Sequence, residues 1–443
     1  MAIHSHNCPA CGALLPVATG QVKCAFCGNE FRISVTSDLS GKATAAAPAV
    51  AVQPVVKRQP MSRRKKVTII VSLIGILIAG WLAILLLSGK HDYYRRLNDA
   101  AWSPDRKTIV SVHGQSFGTT GSLRFWDAES GKLLKVIETP KLLMWKTLWS
   151  PDGKWLAIGE ESAIQIYDAA SLQPAQRFQG MSGFVRNLAW SPDSVRLASG
   201  DDHGTVRIWD LQSSKALLTQ SVHTKYVDEL AWSPDGKRIA SASWDNSVKI
   251  WDSTTGDVLG SYADTSYVDD VEWSPDGTKV VSGGLGYRVF LFDVATNKVL
   301  FVMAGHGSPI RSVTWSPDGR QIASTASDNT VRLWDAVTGK QLYVFDNKGY
   351  GETNVSFSPD GKYLAAGNVG AVRIWAVSDG SQRSLQGHEN ASRVLIVGWS
   401  ADGKRLLTLG GYDNTLRMWD VENGKELYRL GIPFLEGFRR AIF

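Results

Sequence analysis

A four-residue signature, Trp-Ser-Pro-Asp, recurs down this chain at Trp102, Trp149, Trp190, Trp232, Trp273 and Trp315. It returns altered as Phe357-Ser-Pro-Asp and Trp399-Ser-Ala-Asp. The intervals are 47 residues once and then 41 or 42 throughout. A period of that size demands an array of equivalent supersecondary units, each burying its apolar surface against the next. A second signature follows each first one: Trp126-Asp127, Tyr167-Asp168, Trp209-Asp210, Trp251-Asp252, Phe292-Asp293, Trp334-Asp335, Trp375-Ala376 and Trp419-Asp420.

The fourth unit shows what lies between the markers. Residues 227–232 alternate like a strand, and Ser233-Pro-Asp-Gly236 is a hairpin turn, with Pro fixing φ and Gly free to take φ > 0. Second and third strands are predicted at 238–243 and 247–251. Thr255-Gly256 then turns the chain into a fourth strand at 258–262. Helical periodicity is absent, which excludes helical solenoids. Four antiparallel strands in 42 residues make one blade of a propeller.

On these repeated hallmarks, residues 92–443 resemble a WD40-repeat β-propeller, in the Trp-Ser-Pro-Asp-Gly style of bacterial members. The expected fold is all-β, with eight blades starting near residues 95, 142, 184, 226, 267, 309, 352 and 393. Residues 425–430 supply the last blade's own outer strand. The resemblance implies an internal network of His, Ser/Thr, Asp and Trp. It is complete in blade 4 (His223, Ser241, Asp245, Trp251), blade 6 (His306, Ser324, Asp328, Trp334) and blade 8 (His388, Thr408, Asp413, Trp419). Blades 2, 3, 5 and 7 lack the His. These residues are expected to be structural, and the recurrent Asp residues to form turns. A catalytic constellation should occur once rather than eight times, and no nucleophile–base–orienter set stands out, so the chain is expected not to be an enzyme.

Binding in such a ring is expected at the loops that open on the channel mouth. Around those positions stand Arg96, Trp145, Phe184, Arg186, Tyr226, Tyr267, Arg311, Tyr350 and Arg393. Aromatic and Arg enrichment is what interface hot spots favour. Packing between blades is the competing role for the same side chains. Protein or peptide partners are therefore expected.

The first fifth of the chain is different. All four Cys lie there, as Cys8-Pro-Ala-Cys11-Gly and Cys24-Ala-Phe-Cys27-Gly, and 16 of the 17 Trp lie beyond residue 100. Two C-x-x-C pairs, each followed by Gly, let four thiolates converge on one ion. The pattern resembles a zinc ribbon over residues 1–33, with Cys8, Cys11, Cys24 and Cys27 holding one structural zinc. Disulfides, an iron site of rubredoxin type and a redox pair are the alternatives. His4 and His6 are read as flexible terminal residues. Residues 34–66 read as a flexible basic linker, ending in Arg63-Arg64-Lys65-Lys66.

Residues 67–88 follow as the candidate transmembrane helix. From 67 to 87 the only polar residues are Thr68 and Ser72, and such a run spans about 30 Å as a helix. It lies too far from the N-terminus for a signal peptide. The basic cluster before it, and the preference of thiolates for a reducing compartment, predict a cytoplasmic N-terminus and an extracytoplasmic propeller in the cell membrane.

Residues 1–90 carry ten basic and two acidic residues, a balance of +8; the remainder carries 38 basic and 40 acidic. The propeller therefore has no electrostatic basis for binding nucleic acid, whereas residues 1–62 could contact it. The functional expectation is a membrane-anchored, non-enzymatic scaffold. The rivals are a transmembrane signalling protein whose ribbon contacts a cytoplasmic protein or nucleic acid, and a propeller enzyme with a channel active site.

Overall fold

The computed structural model describes residues 97–114, 121–139, 146–347, 354–389, 393–411 and 413–431 in full, and Arg96 and five short strands before residue 55 in backbone only. The chain divides into two compact units, residues 1–90 and 91–443.

The larger unit is a closed ring of eight four-stranded antiparallel blades, each with its strands in sequence order. The blades span 96–139, 146–179, 185–221, 227–263, 268–304, 310–346, 355–386 and 394–430. Blade 4 consists of Val227–Trp232, Arg238–Ser243, Ser247–Asp252 and Val258–Ala263, within a residue of the strands read from its sequence. The first strands of successive blades face one another around the axis, and those of blades 8 and 1 also meet. Glu426–Leu430 is the outer strand of blade 8. The ring thus closes without borrowing a strand, as expected. Closure is secured by side chains: Leu97 N donates to Asn414 Oδ1 at 3.2 Å, and Arg405 pairs with Glu129 at 3.5 Å.

Core formation follows from the repeat. The described residues form eight apolar clusters, one at each seam between neighbouring blades. Blades 4 and 5, for example, share Ala240, Val248, Ile250, Val268, Val271 and Phe292. At five seams the signature Trp also bonds across. Trp190, Trp232, Trp273, Trp315 and Trp399 each donate Nε1–H to a carbonyl on the preceding blade's first strand, at 3.1, 2.9, 2.9, 3.4 and 3.4 Å. Burial of such a side chain contributes roughly 1.5–3 kcal/mol and the bond about 1 kcal/mol more; Trp102, Trp149 and Phe357 contribute by burial without that bond among the described residues.

The Ser-Pro-Asp turns explain the rest of the signature. In blade 4, Ser233 Oγ donates to Asp235 Oδ1 at 2.5 Å, and that oxygen accepts Lys237 N at 3.0 Å. Gly236 N closes the turn on Ser233 O, at φ +68°. Arg106 and Ser194 hold the equivalent place in blades 1 and 3 at φ 59° and 61°, left-handed values that cost a non-glycine residue strain.

In the N-terminal unit, His6–Asn7 pairs with Leu14–Leu15, and Gly20–Lys23 pairs with Glu30–Val35. The segments joining these two pairs carry Cys8 and Cys11, and Cys24 and Cys27. The four cysteines themselves lie outside the described residues. The linker differs from expectation: Val50–Pro54, inside the 34–66 stretch, is a strand paired with Glu30–Val35. Its alternating Val50 and Val52 suit a pleated edge, and β-branching favours it. Residues 67–88 lie outside the described residues, among which no helix is long and apolar enough to cross a membrane.

Candidate functional site

Two constellations stand out in the ring: an aromatic ladder on the rim of blades 3 to 5, and a ring of polar side chains on the first strands.

The ladder begins with Arg186, an exposed residue on the first strand of blade 3, whose guanidinium lies 5.0 Å from the centroid of the Tyr226 ring. Tyr226 packs at 5.2 Å on Trp244, which stacks at 5.0 Å and 4° on Tyr267. The Lys225 ammonium lies over the Tyr267 ring, 5.0 Å from its centroid. The backbone holds the Tyr residues in place: Tyr226 O accepts Trp244 N at 3.1 Å, and Tyr267 O accepts Leu285 N at 2.8 Å. Tyr226 is 36% exposed, Arg186 and Lys225 are exposed, and Trp244 and Tyr267 are half-buried. Stacking and cation–π contacts of this kind contribute about 0.5–1.5 kcal/mol each and fix the side chains in one arrangement.

The structure therefore brings together Arg186, Tyr226 and Tyr267, and adds Trp244 and Lys225, which sequence reasoning missed. The available signal for Trp244 was its register. It is a Trp of blade 4 that belongs to neither repeat signature. Phe184 is half-buried in blade 3, its N donating to Asp202 Oδ1 at 3.0 Å. Arg311 turns to its neighbours, Asp269 at 3.5 Å and Ser327 Oγ at 2.9 Å. Arg393 is exposed on blade 8, bridged through its backbone to Val369 and so far from the ladder in ring order. Arg96 opens the first strand of blade 1. Trp145 and Tyr350 lie outside the described residues.

The polar ring lies three residues before each signature aromatic: Asp99, Lys146, Asn187, Glu229, Asp270, Ser312, Asn354 and, as the one apolar member, Ile396. These side chains reach across seams. Asp99 Oδ2 accepts Thr147 N at 2.8 Å, Asn187 Nδ2 donates to Glu229 Oε2 at 2.9 Å, Asp270 Oδ2 accepts Val313 N at 2.8 Å, and Asn354 Nδ2 donates to Ile396 O at 2.7 Å. Glu272 Oε2 adds a bond from Trp315 N at 3.0 Å. Burial pushes Glu272 up to about 8, with the Asp270 charge adding to the rise. Burial likewise lifts Glu229 to about 7, against the pull of Lys146. A polar cluster assembled from several blades therefore lies on the first strands. It was overlooked because its members are spread one per blade, and it becomes visible only when the repeats are aligned in register.

The predicted structural networks are seen in detail. In blade 6, His306 contacts Asp328 at 3.0 Å and Ser324 at 2.8 Å, and Trp334 Nε1 donates to Ser324 Oγ at 2.9 Å. Blade 8 repeats this with His388, Asp413, Thr408 and Trp419 at 2.7–2.8 Å. Blade 4 differs: His223 reaches Asp245 at 2.9 Å and Ser241 at 2.7 Å, but Trp251 Nε1 has no hydrogen-bond partner among the described residues. Trp251 is placed by its strand pairing and by complete burial. Blade 1, unforeseen, uses His113 from its second strand, with Ser111 bridging to Trp126 at 2.9 and 2.8 Å. In blade 3, the Met181 sulfur lies 3.8 Å from Ser199 Oγ, in the place of the missing His.

The sequence matches the WD40 family (WD domain, G-beta repeat) over residues 172–210, 214–252, 256–293, 297–335 and 380–420. Each match ends on a signature Asp, so the family repeat begins with one blade's outer strand and finishes in the next blade. Three relatives illustrate the likeness. Target of rapamycin complex subunit wat1 of Schizosaccharomyces pombe is 30% identical over 25% of this chain and 35% of its own length. Small ribosomal subunit protein RACK1y of Oryza sativa subsp. japonica is 33% identical over 28% of this chain and 36% of its own. WD repeat-containing protein VIP3 of Arabidopsis thaliana is 28% identical over 30% of this chain and 50% of its own. The chain thus spans a third to a half of the length of these relatives. All three are eukaryotic and lend the expectation of a bacterial source no support. Sequence match and blade geometry agree: this chain carries WD40 repeats, and they build an eight-bladed β-propeller.

Proposed function

We propose that this protein is a membrane-anchored, non-enzymatic scaffold whose propeller rim binds protein or peptide partners. The observation that carries the reading is the ladder Arg186–Tyr226–Trp244–Tyr267–Lys225. Rigid aromatics with little side-chain entropy left to lose, bordered by cations, are the composition of interface hot spots. The names of two relatives, a complex subunit and a ribosomal subunit protein, also favour partner binding. Residues 67–88 anchor the chain by their length and apolarity. Cys8, Cys11, Cys24 and Cys27 hold one structural zinc, with the N-terminus cytoplasmic and the propeller outside.

Replacing Phe184, Tyr226 and Tyr267 together by Ala is expected to lower partner capture from crosslinked membranes at least tenfold while the ring stays folded. Capture at the wild-type level by the folded variant removes the rim reading. Protease added outside intact cells is expected to reach the propeller and spare residues 1–62; the reverse pattern overturns the topology.

The enzyme reading gains the polar ring as an observation, but Asp99, Asp270 and Glu272 already accept backbone N–H groups of the next blade. The signalling reading draws on the +8 balance of residues 1–90. It predicts salt-dependent binding of nucleic acid by the full chain, and binding that does not change with salt leaves only a protein contact.

A further inference from the structure

The outermost strand of blade 1, Leu133–Thr139, pairs on one side only, with Gly121–Asp127. Lys135 Nζ donates to Ser171 O at 3.1 Å and Leu172 O at 3.2 Å in blade 2, and Ile137 packs on the cluster that blades 1 and 2 share. Strand alternation then turns Leu134 and Val136 the other way, towards blade 8. On that side they are 54% and 39% exposed, and Leu133 next to them is 42% exposed. The facing wall is blade 8's outermost strand, Glu426–Leu430. Its Tyr428 hydroxyl donates to Ala128 O, and the Tyr428 and Leu430 side chains lie against Gly131 of blade 1. The circumference of the ring thus carries an apolar notch at the seam where it closes.

We propose that this notch is the docking site of residues 432–443, which pack on Leu133, Leu134 and Val136 through the apolar face of a short helix. These residues lie outside the described residues.

Position, pattern and reach support this occupant. Leu430, the last residue of blade 8's outer strand, is buried in the apolar cluster of the seam between blades 8 and 1, so the chain leaves the ring beside the notch. Beyond it, Phe434, Leu435, Phe438, Ala441 and Ile442 recur at the spacing of one helix face. Glu436, Arg439 and Arg440 fall on the other, and Pro433 suits the first helical position. A helix of about ten residues is marginal in water by itself, so its apolar face needs a surface to cover.

Ten helical residues span only about 15 Å. The exposed apolar side chains of blades 3 to 6, such as Leu217, Leu259, Leu300 and Val344, lie at least two blades away around the ring. The wedge on the other side of blade 8 is already bridged, because Arg383 Nη1 donates to Val421 O at 2.7 Å and to Glu422 O at 3.2 Å. Glu138, exposed on the notch side of its strand, has the charge that complements Arg439 and Arg440.

Replacing Phe438 in the full chain by photoreactive benzoyl-phenylalanine tests the assignment. Crosslinks are expected within one chain, to residues 133–139 or to Tyr428. Crosslinks between two chains, to lipid or to another blade, or none at all, overturn it. Hydrogen exchange should agree. In a chain stopped after Gly431, protection of Leu133–Thr139 is expected to fall about fivefold. Lys298–Ala304, an outer strand with exposed apolar side chains of its own, keeps its protection. No change at Leu133–Thr139, or an equal fall in both strands, overturns the docking. If the shortened chain fails to fold, F438D in the full chain is read in the same way.

Discussion

Stripping zinc from the full chain is expected to unfold the region from His6 to Val35 while leaving the thermal midpoint of the propeller where it was. This follows from the proposal that Cys8, Cys11, Cys24 and Cys27 bind one ion. His6–Asn7 with Leu14–Leu15 is a two-residue strand pair, and Gly20–Lys23, Glu30–Val35 and Val50–Pro54 form a sheet of only three short strands; elements this small are marginal in water by themselves. Metal binding in such a module supplies its folding energy, roughly 10–16 kcal/mol at neutral pH. Elemental analysis should find one zinc per chain, falling to none when any one of the four Cys becomes Ser. Limited proteolysis should then cut this region at once. A chain lacking all four thiols that resists the protease as well as the wild type would overturn the metal's structural role. Iron in place of zinc would favour the rubredoxin-type alternative.

The second large effect is expected at Asp413. This carboxylate is 1% exposed. It contacts His388 Nδ1 at 2.7 Å, accepts Thr415 Oγ1 at 2.9 Å and lies 3.4 Å from the buried guanidinium of Arg417. Burial alone would raise its pKa, yet the hydrogen bond and charge of His388 and the Thr415 hydroxyl bring it down to about 2. Asp413→Ala removes the carboxylate from His388 Nδ1, which keeps Thr408 at 2.8 Å on its other nitrogen, and leaves Arg417 with Glu426 at 2.7 Å and Thr415 Oγ1 at 3.2 Å. Loss of one member of such a buried network costs about 3–5 kcal/mol. Asp420→Ala, which removes a half-buried turn carboxylate that accepts Glu422 N and Asn423 N, should cost about 1 kcal/mol. Thermal unfolding followed by tryptophan fluorescence distinguishes the two. Equal shifts for both variants would mean that the buried triad adds nothing beyond its turn.

The same network gives an acid limit. Burial lowers the His388 pKa, partly offset by Asp413, so the ring holds His388 neutral. Stability from this His is complete above its unfolded value of about 6.5 and falls as pH drops below it. Asp413 adds a further loss as pH falls through the carboxylate range towards about 2. The first-strand carboxylates Glu229 and Glu272 act in the opposite direction, their contribution being lost as pH rises through about 7 and about 8.

Most of the architecture could be read from the residues in order. The strands of blade 4, the Ser-Pro-Asp-Gly turns, the eight blades and the self-sufficient last blade are local or periodic properties, and chain order reports them directly. The His–Asp networks of blades 6 and 8 were legible for the same reason. Local pattern did not reveal that Trp251 lacks a partner while Trp334 and Trp419 have one, because that depends on ångström-level differences in side-chain approach.

The amino-acid order by itself determined that this chain repeats a four-stranded unit eight times, with its cysteines set apart from it. Only the tertiary structure decided which side chains from different repeats meet. Trp244 stacks between Tyr226 and Tyr267 because blades 4 and 5 are neighbours in a ring. Lys146 shares one arc with Glu229 and Asp270 because first strands converge on an axis. Periodicity specifies each unit from within, whereas the ring brings Lys146 within reach of Glu229 and Asp270, 83 and 124 positions away, and its closure joins Leu97 to Asn414, 317 positions away. Charges that are unremarkable one per repeat then come close enough to shift one another's ionisation.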